Sequence, residues 1–437
     1  MNLSLVFDIA AILVGGFFAA HLASRFHIPK VTAYLLWGLM LGPLSGKLLA
    51  FLTGGAITEP IINSHELEAL HVINELALGL ILFGMGGELT SKRLRSLTGE
   101  IIKISCITSL LVYVAVGLGT YCAGIFLPGT SLPLSAAALM GAMAISTAPA
   151  ATVLVINEYR ASGRLTDVIL GLTAVNVVLC LLAYKLSYAF ILWHGAADLS
   201  IAALIPHLGS VIWYLGGSVV VGVGIGLLMS LLEQNRDEGS DELYIAYFAC
   251  VILGIGICKF LGVTYLLALM VSGMVVLHSF FEGEEVFKRL KEVGKPLYLM
   301  FFVLSGAELQ PDVLVLMGWV GVAYVVFRSI ALWVGFYFSA RWQGENKEVW
   351  KFGGTALLCH ASLPLGLYMT LNQQDPHLAL PIGTIVLSSV VVFELAGPIL
   401  ERWSLIQAGE IPVESIVHHQ EKTLYRMGLI ETVNYLM

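Results

Sequence analysis

Two long apolar stretches in this chain are each broken near their middle by proline. The first reads AMAISTAPAATVLVINE, with Pro149 at the break, and the second reads TALLCHASLPLGLYMT, with Pro364. Proline removes a backbone donor and clashes with the preceding turn. In hydrocarbon, the backbone groups freed in this way are tolerated only where protein or a watery cavity surrounds them. A pair of such breaks, one in each half of a chain, marks where a membrane protein builds a site near the bilayer midplane.

The composition makes lipid the solvent. Hydrophobic residues form 58% of the chain and charged residues 12%, against about 25% charged in soluble domains. With spans of about 20 residues each, thirteen candidates fit, at 3–24, 30–44, 67–89, 100–127, 132–157, 165–192, 206–232, 243–260, 262–281, 296–310, 312–340, 350–371 and 379–402. The longest outside connection is expected over 45–66, and a cytoplasmic tail over 404–437. No basic segment precedes the first run, which is therefore expected to be a retained span rather than a cleaved leader. Cys106, Cys122, Cys180, Cys250, Cys258 and Cys359 all fall in apolar runs without metal-binding spacing, and are expected to act as small packing residues. No nucleophile–base pair or metal cluster is evident. An enzyme, a cofactor, a metal centre and a nucleic-acid partner are not expected.

The charge distribution orients the spans. Connections after odd-numbered spans hold 19 Lys and Arg residues, and those after even-numbered spans hold 2, Lys47 and Lys259. By the positive-inside rule the N-terminus lies outside and the C-terminus in the cytoplasm. The two basic residues that remain, Lys185 and Arg328, fall within spans. An internal repeat is also visible. Span 3 ends LILFGMGGEL and span 10 ends LMFFVLSGAEL, sharing Gly-x-Glu-Leu at Gly86–Leu89 and Gly306–Leu309. The offset of seven spans is the same as that between the two proline breaks. An odd offset reverses direction across the bilayer, so the repeats are of inverted topology.

Polar residues at membrane depth are costly and point to function. Ser146, Thr147 and Pro149 lie midway along span 5, and His360, Ser362 and Pro364 midway along span 12. Asn176 lies mid-span in span 6 (LGLTAVNVVLCLL) and Arg328 in span 11 (VAYVVFRSIALWVGF). Shared depth predicts that Ser146, Thr147, Asn176, Arg328 and His360 converge on one midplane cavity. For Arg328 the alternative is a structural cation that neutralises helix C-terminal dipoles. For Asn176 it is a plain interhelical hydrogen bond, and for His360 a satisfied packing side chain. Glu394, in span 13 (VVVFELAGPIL), is a candidate proton acceptor. Glu158, at the end of span 5 beside Arg160, reads as a cytoplasmic-rim residue, and Glu88 and Glu308 end their spans.

Taken in order, IPKVTAYLLWGLMLGP, LALGLILFGMGGEL, AISTAPAATVLVINEYRASGRLTD, KPLYLMFFVLSGAEL, Arg328 and VVVFELAGPILERW resemble the cation:proton antiporter superfamily, in particular its bacterial potassium-efflux-like branch. The resemblance covers nearly all of residues 1–403. It implies thirteen helices divided into a dimerisation scaffold and a mobile core. The core would comprise spans 4–6 and 11–13, about residues 100–192 and 312–402, with spans 5 and 12 crossing at their breaks. It also implies a homodimer in a bacterial inner membrane and elevator-like carriage of the ion.

One departure from the family pattern bears on mechanism. Members usually carry one or two acids midway along span 6, and here the pair is Asn176-Val177. The aspartate that many sodium/proton exchangers place before the span-5 proline is Ala148. An Asn carbonyl can ligate a cation but cannot trade it for a proton. The basic span-11 residue is kept as Arg328 without its usual acidic partner, and it is expected to find Glu394, Asp8, an anion or a watery cavity. Three functions therefore stay open. One is exchange of a monovalent cation (Na+ or K+) for protons, with another acid titrating. The second is anion or organic-acid transport through Arg328. The third is a transport-inactive sensor or partner subunit.

Overall fold

In hydrocarbon a backbone must satisfy its own hydrogen bonds, which leaves the helix as the default for every apolar run here. The computed structural model describes residues 3–26, 28–54, 59–89, 98–126, 132–195, 200–234, 241–279, 283–309, 318–360 and 362–412. Its helices are α1 (Leu3–Arg25), α2 (Lys30–Leu41), α3 (Pro43–Leu52), α4 (Ser64–Leu89), α5 (Thr98–Phe126), α6 (Leu134–Ala144), α7 (Pro149–Tyr159) and α8 (Arg164–His194). They continue with α9 (Ile201–Gln234), α10 (Asp241–Leu261), α11 (Tyr265–Ser279), α12 (Gly283–Glu308), α13 (Gly318–Trp342), α14 (Lys347–Ala356), α15 (Ser362–Gln374) and α16 (Pro376–Gln407). No strand occurs among the described residues.

Each of the thirteen expected spans meets a helix or a broken pair. Span 5 is α6 with α7, and span 12 is α14 with α15. Nine spans among the described residues are long and apolar enough to cross a membrane on their own measure, and α2 with α3 makes a tenth, bent by 46°. That bend is one departure from expectation. The chain turns at Gly42 and Pro43 starts a new helix, so the first part of the 45–66 connection is helical. Another is α12, which begins at Gly283, thirteen residues before the expected start, and carries Pro296 inside it. The last helix likewise runs to Gln407, past the expected boundary at 402. Of the expected tail, residues 413–437 lie outside the described residues.

The inverted repeat is written into backbone packing. Helix α4 packs on α11, and α12 packs on α2. In the first pair a Cβ on Gly86 would collide with the Met270 carbonyl, and one on Gly273 with the Phe83 carbonyl. In the second, a Cβ on Gly306 would collide with the Leu35 carbonyl, and one on Gly38 with the Val303 carbonyl. Phe83 and Gly86 thus stand to Val303 and Gly306 as Leu35 and Gly38 stand to Met270 and Gly273, with the same three-residue spacing in every case. Small residues allow such backbone-to-backbone approach where lipid offers no hydrophobic drive for helix association.

Charge is held at the ends of the helices. Arg164, at the start of α8, donates to both oxygens of Glu345 (2.9 and 2.7 Å) and to Glu100 (2.6 Å). The N-cap of α8 is Gly163, which has no side chain to cap with. Glu410, just past α16, supplies the cap instead. Its carboxylate accepts the N–H of Leu165 (2.6 Å), the N–H of Thr166 (2.7 Å) and the Thr166 hydroxyl (2.6 Å).

These glycine contacts carry a prediction. Gly38→Ala and Gly86→Ala, one in each of the two equivalent helix contacts, should each destabilise the purified protein by about 1–3 kcal/mol, the usual cost of overpacking. Gly256→Ala, where a Cβ meets open space, should leave the thermal unfolding midpoint unchanged. Equal behaviour of all three variants would contradict the packing account.

Candidate functional site

The first break forms because α6 runs out of partners before Pro149. The N–H groups of Ile145 and Ser146 bond back to Ala142 and Met143 in a tight final turn (3.3 and 3.2 Å). Ala148 is extended, and Pro149, with no N–H to satisfy, opens α7. In the second break α14 stops at Ala356 and α15 starts at Ser362. The two breaks touch, since the Ala148 N–H donates to the Cys359 carbonyl (3.1 Å). This is the crossing of two broken helices that the family resemblance implies.

Two half-helices end near that point with their carbonyls exposed, each carrying the negative end of a helix dipole. Arg328, on α13 and fully buried, answers both. Its Nε donates to the Ala144 carbonyl (3.0 Å) and one terminal nitrogen to the Ser146 carbonyl (2.8 Å), both from the first break. The other terminal nitrogen donates to the Leu358 carbonyl (2.9 Å) of the second. The Phe393 ring lies over the guanidinium at 4.3 Å. Arg328 thus finds carbonyls as partners and not the carboxylate that its missing family partner led us to expect. A planar fork with five donors suits this role where a point charge would not.

His360 joins the same group. Its Nδ1 lies 3.0 Å from the Ser146 hydroxyl and 3.1 Å from the Ser146 carbonyl, and its Nε2 lies 3.3 Å from the Tyr324 hydroxyl. Ser146, Arg328 and His360 therefore share one buried hydrogen-bonded cluster. Thr147 is buried beside them in sequence, and its hydroxyl has no partner. Ser362 begins α15. Asn176 occupies a neighbouring cluster. Its amide oxygen accepts from the hydroxyls of Ser105 (2.5 Å) and Ser109 (3.3 Å) on α5. One turn further along α8, Cys180 lies against the Ser146 backbone, which links the two clusters.

Glu394 is buried on α16, and neither of its oxygens has a hydrogen-bond partner. It follows Phe393, which faces Arg328, and so points to a different side of the helix, where the charge acting on it is Glu308. Glu308 in turn accepts from Asn74 (3.3 Å). Glu158 does more than mark a rim. Its carboxylate accepts the Lys30 backbone N–H (2.9 Å) and so caps α2. Cys106 and Cys122 are exposed, unlike the other four cysteines.

Sequence inspection did not single out Glu401, Tyr324 or the serines at 105 and 109. Glu401 is fully buried, although it sits beside Arg402 where span 13 was expected to leave the membrane. Its spacing of seven from Glu394, two turns on one helix face, was the available signal.

Crossed half-helices inside a polytopic helical protein, with polar groups gathered at the crossing, define a membrane transporter. Residues 9–403 match the transmembrane sodium/hydrogen exchanger family, and the chain belongs to that family, whose members are transporters and not enzymes. The fold is similar to the sodium proton antiporter MjNhaP1 from Methanocaldococcus jannaschii at pH 8, with a TM-score of 0.67 and 18% identity, covering 93% of this chain and 98% of that one. An electron-microscopy structure of the same antiporter aligns with a TM-score of 0.66 and 17% identity over the whole of both chains. No protein of curated function matches the sequence.

The Arg328 geometry predicts a structural as well as a functional penalty. Arg328→Met takes the guanidinium donors from three buried carbonyls; that of Ser146 keeps His360 Nδ1 at 3.1 Å, and those of Ala144 and Leu358 lose their Arg328 bonds at about 1–3 kcal/mol each. Thermal unfolding of the purified variant should show a loss of at least about 2 kcal/mol. Arg328→Lys keeps the charge but not the fork and should fall between the two. Wild-type stability in Arg328→Met would show that the helix ends do not depend on this side chain.

Proposed function

We propose that this protein exchanges a monovalent cation, Na+ or K+, for protons at the crossing of the broken helices. Cation/proton exchange is the activity its family implies. The observation that carries the cation reading is what Arg328 leaves behind. Each of its three guanidinium nitrogens already donates to a backbone carbonyl, of Ala144, Ser146 or Leu358. An anion or organic-acid site would need donors free at that point. Apart from the Nε of Arg402, whose guanidinium lies over the Tyr159 ring, the buried polar atoms without partners near the breaks are oxygens: the Thr147 hydroxyl, both oxygens of Glu394 and one of Glu401. Hard oxygen ligands suit alkali cations and protons.

In this reading Ser146, Thr147, Asn176, Arg328 and His360 form or support the ion site, with Pro149 and Pro364 opening the helices around it. Glu394 accepts a proton in place of the absent span-6 acid, because an unpaired buried carboxylate favours its neutral form. Residues of about 100–192 and 312–402 move as an elevator-like core against the remaining helices, in a homodimer of the bacterial inner membrane. The N-terminus is outside and the C-terminus cytoplasmic.

Everted membrane vesicles test this directly. Adding NaCl or KCl to vesicles with a preformed pH gradient should dissipate it. Glu394→Gln should abolish the response at equal expression, and Asn176→Asp should shift ion preference or pH dependence. A response to chloride or organic acids alone would favour the anion alternative, and no response to any solute would favour a sensor or partner subunit. The same vesicles check orientation in a background lacking Cys106 and Cys122. A cysteine placed at Glu348 should react with an impermeant reagent and one at Glu59 should not. Native mass spectrometry should give twice the chain mass.

A further inference from the structure

Glu401 sets a carboxyl against the helix crossing. It is fully buried on α16. One carboxylate oxygen, Oε2, accepts from the Thr152 hydroxyl (3.4 Å) and the Cys359 thiol (3.6 Å), and the other, Oε1, has no partner. Thr152 belongs to the first turn of α7, just beyond Pro149, and Cys359 lies in the break between α14 and α15. The carboxylate therefore rests against both breaks at once. Gly397, one turn earlier on α16, explains the closeness. A Cβ there would lie 2.6 Å from the Cys359 sulfur and 2.7 Å from its Cα, so only glycine lets α16 approach the break and brings the residue four places on, Glu401, to it.

Groups facing this carboxyl are Thr152 from α7 and Cys359 from the break, neither of them cationic. Glu394 lies two turns away on the same helix, about 10 Å along its axis at 1.5 Å per residue. Arg402, the next residue, turns aside to the Tyr159 ring, 5.0 Å away. An ionised carboxylate so placed needs a positive charge brought to it. A proton supplies one, and an alkali cation coordinated by Oε1, Oε2 and the Thr152 hydroxyl supplies another. The negative end of the α14 dipole, at Ala356, favours either.

We infer that Glu401, with Thr152 as companion ligand, is a carboxyl at which a monovalent cation and a proton replace one another on the inner side of the helix crossing. The inference rests on the exchange reading and deepens it. The cation enters as the proton leaves the same carboxyl, so the buried site stays neutral in both states. Glu401 would then be the cation-binding acid that Asn176 cannot be, and Glu394 a separate proton acceptor toward Glu308.

Proteoliposomes containing the full purified chain test this, with Na+ and K+ as probes. Glu401→Gln mimics the protonated state, should insert and assemble, and should lose cation-driven proton movement by at least tenfold. Thr152→Val should raise the apparent KM for the cation several-fold while keeping the maximal rate, a split that a merely structural role would not give. An independent readout uses the unsubstituted protein. A hydrophobic carbodiimide should modify Glu401, detected by peptide mass spectrometry, and Na+ or K+ should protect it over the concentrations that drive transport. Wild-type KM and rate in Glu401→Gln, or modification that ignores the cation, overturns the inference and leaves the exchange reading standing. If the unsubstituted protein shows no cation-driven proton movement at all, the exchange reading itself falls.

Discussion

The three hydrogen bonds from Arg328 to the carbonyls of Ala144, Ser146 and Leu358 are the interaction on which the site depends. Two helices cannot be broken inside a bilayer without exposing backbone acceptors, and each lost partner is costly in a low-dielectric interior. One guanidinium meets acceptors from both breaks and neutralises two helix dipole ends at once. The contact between the Ala148 N–H and the Cys359 carbonyl then ties the breaks to each other. With the helix ends closed in this way, the Thr147 hydroxyl, both oxygens of Glu394 and one of Glu401 are left without hydrogen-bond partners.

The rest of the fold brings that crossing into being through symmetry. The glycine pairs Gly86 with Gly273 and Gly38 with Gly306 bring backbones together in two equivalent helix contacts. A duplicated unit inserted in opposite senses gives one broken helix from each half, pointing in opposite directions. That antiparallel arrangement is why carbonyl ends converge from both sides on one arginine. It is also why a charge on α13 serves α6 and α14 alike.

Much of this was legible in the sequence, because the constraint of lipid is severe. The proline breaks at Pro149 and Pro364, the Gly-x-Glu-Leu repeat and the asymmetry of basic residues gave the helical architecture and its two broken spans, and the family resemblance gave the crossing. Depth along the spans gathered Ser146, Arg328 and His360, which do share a hydrogen-bonded cluster. Depth does not encode direction around a helix, however. Asn176 turns its amide oxygen to Ser105 and Ser109, and Glu394 makes no hydrogen bond to Arg328, facts set by rotation about helix axes. Helix length was underestimated where charge appears before the helix ends. For that reason α12 began early, α16 ended late, and Glu401 was not singled out although it is fully buried.

The missing span-6 acid makes the source of the exchangeable proton the central question. An amide at Asn176 cannot release one, so the account requires that a buried carboxyl do so when a cation binds. Proton release from purified protein in weakly buffered detergent solution measures this without a membrane or a gradient. Addition of NaCl or KCl should acidify the solution in a saturable way, and choline chloride at equal ionic strength should not. Acidification that follows the anion, or none with any alkali cation, would contradict the account.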